Sequence, residues 1–157
     1  MAVVFILNKK AELEKFYIVR NSKFDETDNL FSVENKLSWN YQDIANLKDR
    51  HAGSDVCTIT NSFTTDPHWH LDAEQRLILS GKGHFFIPTK NEYIVVEAEV
   101  GDLIWLSPAL QHWFDTDGIT AVRFFEHESK HVEQKNRLTD DVITMYSLLK
   151  HGFRPKL

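Results

Sequence analysis

His68 and His70 are separated by one residue, and Glu74 follows after the short stretch Leu71-Asp72-Ala73. On a strand alternate side chains share a face, so the two imidazoles point together. If residues 71–73 turn the chain, Glu74 can open the next strand and aim its carboxylate back at the histidines. Glu74, Arg76 and Ile78 would then share one face. A later histidine, His112, lies on the strand that follows Gly101-Asp102-Leu103-Ile104-Trp105-Leu106-Ser107-Pro108, and closing the sheet would bring it opposite the other three. Three imidazoles and one carboxylate suit Fe, Ni, Mn, Co or Zn, and the lack of thiolates argues against a closed structural zinc site. A six-coordinate ion would keep two adjacent positions open for a bidentate oxygen ligand or dioxygen, so the cluster reads as catalytic.

The chain has eight histidines, and the remainder lack a partner at ligand spacing. His51, His84, His127, His131 and His151 are therefore read as surface or hydrogen-bonded residues, with His84 the one best placed to face the pocket. Arg123 is read as half of a structural ion pair, and Cys57, the single cysteine, as an inert half-buried thiol. With one cysteine no internal disulfide can form.

These residues need a scaffold. Short β-prone runs fill residues 54–126, with strands expected over 56–62, 67–70, 74–80, 83–88, 93–96, 103–106, 112–115 and 120–126. Turns are signalled at 80–83, 89–92, 101–102, 107–108 and 115–118. Eight strands at this spacing predict a closed barrel or jelly roll, mainly β with flanking helices, in a single domain over 1–157 whose barrel core spans about 54–126. Ala2 to Leu7 reads as a strand and a possible edge, and the charged flanks at 9–14 and 126–135 as solvated surface. A C-terminal helix is expected over 139–150, with Thr139 as its N-cap, Asp140 and Asp141 in its first turn and Val142, Met145, Tyr146 and Leu149 packed on the barrel.

The net charge of −5 offers no basic face to a nucleic-acid backbone. No apolar run approaches the roughly 20 residues that span a bilayer, and a cytoplasmic address is the default. The oligomeric state is open between monomer and homodimer.

The string His68-Trp69-His70-Leu71-Asp72-Ala73-Glu74-Gln75-Arg76, then Gly81-Lys82-Gly83-His84-Phe85, resembles the metal-binding motif of the acireductone dioxygenase family. Its later stretch is similar too, in Gly101-Asp102-Leu103-Ile104, Pro108, His112-Trp113-Phe114-Asp115 and Arg123-Phe124-Phe125. The two-histidine, one-glutamate pattern with its later histidine is shared by all metal-binding cupins. The resemblance therefore implies a cupin fold, the double-stranded β-helix or jelly-roll barrel, with His68, His70, Glu74 and His112 as metal ligands.

The narrower signal is Glu-x-Arg. The resemblance makes Arg76 the catalytic residue that binds the enediolate, and Phe114, on the same face as His112, a pocket wall. It implies an oxidoreductase of methionine salvage that cleaves an acireductone, a methylthio enediol, with O2 and one divalent ion, Fe2+ or Ni2+, with Mn2+, Co2+ or Zn2+ as alternatives. Iron-loaded members give formate and the 2-keto acid precursor of methionine, and nickel-loaded members give formate, carbon monoxide and methylthiopropionate.

Two positions depart from the family pattern. An acidic residue proposed to accept a substrate proton is replaced by Ala73, and a tryptophan near the pocket by His131. These departures keep two alternatives open: another metallo-cupin enzyme, such as an isomerase, an epimerase or a dioxygenase for a different small substrate, or a non-catalytic small-molecule-binding cupin.

Overall fold

The structure is a computed structural model and describes residues 1–19, 30–62 and 68–126. The expected C-terminal helix, together with His127, His131 and His151, lies outside the described residues. The elements are β1 (Ala2–Leu7), β2 (Leu13–Val19), β3 (Phe31–Asn35), α1 (Tyr41–Asp49), β4 (Gly53–Ser62), β5 (Glu74–Pro88), β6 (Tyr93–Glu99), β7 (Asp102–Leu106) and β8 (Trp113–Phe125). Every strand pairing is antiparallel.

The long strands β5 and β8 organise the barrel. They pair from Gln75↔Phe124 at one end to Phe86↔Trp113 at the other. On its other edge, β5 pairs first with β7 over Glu74 to Leu77 and then with β6 over Lys82 to Pro88. One strand thus serves two neighbours in succession, which requires a corner between them. The register shifts at Ile78/Ser80 and at Lys82/Gly83, leaving Leu79 on β5 and Asp117 on β8 as extra residues. Such a bulge bends the strand and inverts its alternation beyond that point. Ile78 and Phe85 both lie in the interior cluster although an even number of residues lies between them, which on a regular strand puts them on opposite faces.

This corner corrects the expectation of turns at 80–83 and 115–118. Each turn is replaced by a bend inside one continuous strand. The glycine signal was real, but both flanks of each bend stay paired to the same partner strand, so the chain kinks without reversing. Gly81 has φ +78, and a Cβ there would lie 2.0 Å from the carbonyl oxygen of Gly118. The turns at 89–92 and 107–108 are seen as expected, the first closed by the Thr89 N–H donating to the Glu92 carbonyl at 2.9 Å.

The N-terminal flank also differs from expectation. β1 is an inner strand between β2 and β6, so the edge falls on β2. The charges at 9–14 masked the β-prone run Lys15-Phe16-Tyr17-Ile18-Val19, whereas β3 alternates buried Phe31, Val33 and Asn35 with less buried neighbours. Neither is helical. The helix of this flank is α1, started by a reciprocal cap: the Asp43 N–H donates to Asn40 Oδ1 and the Asn40 N–H to Asp43 Oδ2. No helix among the described residues is long and apolar enough to cross a membrane.

Val4, Ile6, Ile78, Phe85, Ile104 and Ile119 belong to the cluster inside the barrel, and Phe5, Leu7, Phe86, Tyr93 and Trp113 to a second cluster on the other face of the sheet. Beside them Asp102 is fully buried, accepting from Asn35 Nδ2 at 2.7 Å and from the Glu99 N–H at 2.8 Å. Burial pushes its carboxyl up from the usual range, against the pull of those two donors. The pair ties β3 to the β6–β7 turn.

The corner gives a paired prediction. Gly81→Ala must place a side chain at positive φ against backbone and is expected to destabilise the fold by about 2 kcal/mol or more. Gly118→Ala, whose Cβ would meet nothing within 4 Å, should cost less than about 1 kcal/mol. Urea unfolding of both variants measures the difference, and equal costs would refute this account of the corner.

Candidate metal centre

His68 and His112 form an isolated antiparallel bridge in which each backbone N–H donates to the other's carbonyl at 2.9 Å. That double bond fixes the two residues opposite each other at the end of the β5–β8 ladder. His70 is held near them by its carbonyl, which accepts from the Ala109 N–H at 2.7 Å. Glu74 begins β5 beside Leu106 of β7. The four residues expected from sequence are thus brought together from three chain segments.

The ring centroids of His68 and His112 are 4.5 Å apart, those of His68 and His70 4.9 Å, and those of His70 and His112 5.4 Å. One ligand atom from each of His68, His70, Glu74 and His112 lies within 4.8 Å of all the others. Donors about 2.1 Å from one ion are separated by roughly 3–4 Å, so the scale fits. All four residues are buried, with relative exposures of 6% or less.

Glu74 Oε2 stands 2.6 Å from His112 Nε2 and 3.3 Å from His70 Nε2. Yet Glu74 Oε2 and His112 Nε2 are buried without a hydrogen-bond partner. Converging, unsatisfied buried donor atoms are costly unless something they can coordinate lies between them. His112 is also oriented for this: its Nδ1–H donates to the Leu110 carbonyl at 2.8 Å, which leaves Nε2 as the lone-pair nitrogen facing the cluster.

Arg76 occupies the outer side of the carboxylate. Its Nε donates to Glu74 Oε1, which leaves Oε2 to the histidines. Burial alone would push the Glu74 carboxyl up. The guanidinium of Arg76 pulls the other way, and the carboxyl is held well below the usual carboxylate range.

The remaining candidates fall as follows. Phe114 faces the interior cluster, as its alternation with His112 required, with its ring 4.8 Å from that of Phe85. Arg123 forms the expected ion pair, its Nε and Nη2 donating to Asp55 Oδ1 and Oδ2 at 2.7 and 2.5 Å. This pair holds the Arg123 guanidinium protonated beyond its ordinary value. Arg123 is directly opposite Arg76 in the β5–β8 register, a pairing that residue types alone do not reveal. His51 has the expected hydrogen-bonded role: its Nδ1 donates to the Leu47 carbonyl at 2.6 Å and its Nε2 lies 2.5 Å from Gln75 Oε1.

His84 has the hydrogen-bonded role read for it and does not face the pocket. It meets Glu97 Oε2 at 2.8 Å and lies beside Phe86 on the outer face. Plain alternation from Glu74 puts residue 84 inside, but the extra residue at the corner turns it out. Ala73, at 1% exposure, leaves no acid or base at that point of the wall.

A sequence profile of the ARD/ARD' family matches residues 7–133. Among curated proteins, the acireductone dioxygenase of Drosophila pseudoobscura is 31% identical over 120 residues, which cover 74% of this chain and 63% of the relative. Acireductone dioxygenase 1 of Nocardia farcinica is 33% identical over 66 residues, 40% of this chain and 35% of the relative. The chain thus spans less than two thirds of either relative. A solved acireductone dioxygenase from Bacillus anthracis, with a cadmium ion in its active center, superposes with a TM-score of 0.56 at 25% identity, covering 66% of this chain and 82% of that one. The barrel is the cupin fold expected from sequence, its buried His/Glu cluster is of the kind that binds a metal, and the chain belongs to the ARD/ARD' family.

Proposed function

We propose that this protein is a metal-dependent acireductone dioxygenase, in which His68, His70, Glu74 and His112 hold one divalent ion, Fe2+ or Ni2+, and Arg76 binds the enediolate. The observation that carries the reading is the convergence of three imidazoles and one carboxylate in a buried cluster beside Arg76, in a chain of the ARD/ARD' family. A bound ion of this kind supplies Lewis acidity toward an enediolate and open positions where oxygen can react.

The residues around it divide the remaining work. Glu74 and Arg76 cancel one another's charge, so the loaded centre keeps a positive surplus and prefers an anionic oxygen ligand to a neutral one. The Nε of Arg76 is committed to Glu74, and its terminal N–H groups would hold the substrate oxyanion. Phe114 walls the space beside His112. The Leu110 carbonyl keeps His112 in one tautomer.

Ala73 cannot take a proton, and an enediol that arrives as its monoanion, supported by Arg76 and the ion, needs no base at that position. A positioned base is worth on the order of 100-fold to 10,000-fold in rate. That buried alanine is also what favours the second reading, a different metallo-cupin enzyme acting by Lewis acidity without oxygen. In either case the partner is a small molecule, with no role for nucleic acid or membrane. The setting proposed for the first reading is methionine salvage in the cytoplasm, in a single-domain monomer or homodimer.

Metal-stripped protein is expected to take up one equivalent of Co2+, followed by visible absorption. His112→Ala should lower that affinity on the order of 100-fold or more, whereas His84→Ala should leave it unchanged. Comparable losses in both variants would sink the ligand assignment.

Arg76→Met leaves Glu74 buried without its cation, and the metal-free variant should lose about 3 kcal/mol in urea unfolding. Added divalent metal should restore part of that loss. A metal-free variant as stable as the native protein would show that Arg76 does not sustain the carboxylate.

The decisive assay reconstitutes metal-free protein anaerobically with Fe2+ or Ni2+, then adds an acireductone and oxygen. Loss of enediolate absorbance with formate release is expected. One equivalent of bound metal without substrate consumption under either ion would exclude the dioxygenase and leave the second reading.

A further inference from the structure

Gly83 lies on β5 just beyond the corner, on the face that looks into the barrel with Phe85 and Ile87. It is buried, and a Cβ there would lie 2.3 Å from Cζ and 2.5 Å from Cε2 of Phe114, and 3.2 Å from Cδ1 of Ile119. The Phe114 ring therefore fills the space that a side chain at position 83 would take. Its neighbour Phe85, directly opposite on β5, meets it at 4.8 Å and 50°. The ring is bounded by glycine backbone on one side and an aromatic face on the other.

Phe114 is also two residues beyond His112, while Trp113 between them packs into the cluster on the opposite face. Phe85 is only 2% exposed, yet Phe114 stays half-buried although it too faces inward. The half-buried Phe114 ring is thus the more exposed member of the pair, on the face of the chain it shares with His112.

We infer that Gly83 is a specificity-determining position: its missing side chain lets the edge of the Phe114 ring sit against β5, and that seat sets how long an apolar tail is admitted beside the cluster. The inference rests on the reading that the cluster holds a metal which binds the head of the ligand. The ligands it concerns are small oxygen chelators with a short unbranched apolar tail. Gly83 acts through Phe114 and is a positioning residue. A cross-strand aromatic over a strand glycine also stabilises pairing whatever the ligand, so a loss of stability alone does not discriminate.

The probe is a series of straight-chain alkyl hydroxamates, from acetohydroxamate to octanohydroxamate, titrated into Co2+-loaded protein and read by visible absorption. In the native protein, affinity should rise by up to about fourfold per methylene while the tail is being buried, then level off at the Phe114 wall. Gly83→Ala pushes the ring toward the cluster, so levelling comes at least one methylene earlier and hexanohydroxamate loses about fourfold or more relative to acetohydroxamate. Phe114→Ala moves the levelling to longer tails. With no ring left to displace, Gly83→Ala/Phe114→Ala should match Phe114→Ala. Should Gly83→Ala fail to fold, the double variant must recover both the fold and the longer tails.

An unchanged tail-length profile in the single variants, a double variant that keeps the Gly83→Ala deficit, or one that does not fold overturns the inference. Native protein that shows the expected profiles but consumes no acireductone refutes the dioxygenase reading and leaves the role of Gly83 standing. Turnover with unchanged profiles does the reverse.

Discussion

A carboxylate with 3% exposure at the end of a strand is the constraint around which this barrel is arranged. A buried charge is tolerable only if each of its oxygens has somewhere to go. Arg76 takes one oxygen of Glu74, and the other faces His70 and His112. The division has a direction: the cation stands on the side of the strand's continuation, and the imidazoles on the side where β5 begins. The same two residues of β5 therefore keep the carboxylate ionised and hold it so that one oxygen meets the guanidinium while the other faces the cluster.

The pairing of β5 with β8 carries this arrangement into the rest of the fold. β5 contributes Glu74, Arg76, Gly83 and Phe85, and β8 contributes Phe114, Ile119 and Arg123, so most of the interior around the cluster comes from one antiparallel ladder. A straight ladder of that length could not serve both β7 and β6. The corner at Leu79 and Asp117 solves this, and by inverting the alternation it also decides which side chains reach the interior. Gly83 faces Phe114 and His84 faces Glu97 because the extra residue Leu79, earlier on β5, shifts the alternation of both.

The cluster itself was legible in the sequence because its residues obey local rules. His68 and His70 need only the period of a strand, Glu74 a short bend, and Phe114 the alternation from His112. Where the reading failed, the cause was non-local. Glycines at 81 and 118 announced a change of direction, but whether a glycine reverses a chain or bends it depends on what the flanking residues pair with. The outward turn of His84 follows from the same bulge, since parity counted from Glu74 cannot detect an extra residue. β2 and β3 were hidden for a different reason. Their pairing with β1 and β7 is set by tertiary partners, and the charges at 9–14 weigh more in a composition window than the β-prone residues after them. Conversely, the Asp55–Arg123 pair needed only residue types to be anticipated, although its place opposite Arg76 needed the register.

Ala73 shows how the two levels meet. The residue before a metal-cluster glutamate points away from the glutamate's own face on a regular strand, yet at the start of β5 the chain is only just leaving a bend, and Ala73 is as buried as Glu74. An acid there would add a second buried negative charge next to a carboxylate that already occupies the Nε of Arg76. Such a pair raises the pKa of one of its members, which is what a proton acceptor requires. With alanine the pocket gives up that acceptor and keeps a single ionised carboxylate balanced by a single arginine. Among the described residues, the charge of Arg76 is what this centre offers in place of that acceptor, and such a balance suits a ligand that is already anionic, or nearly so, when it enters the barrel.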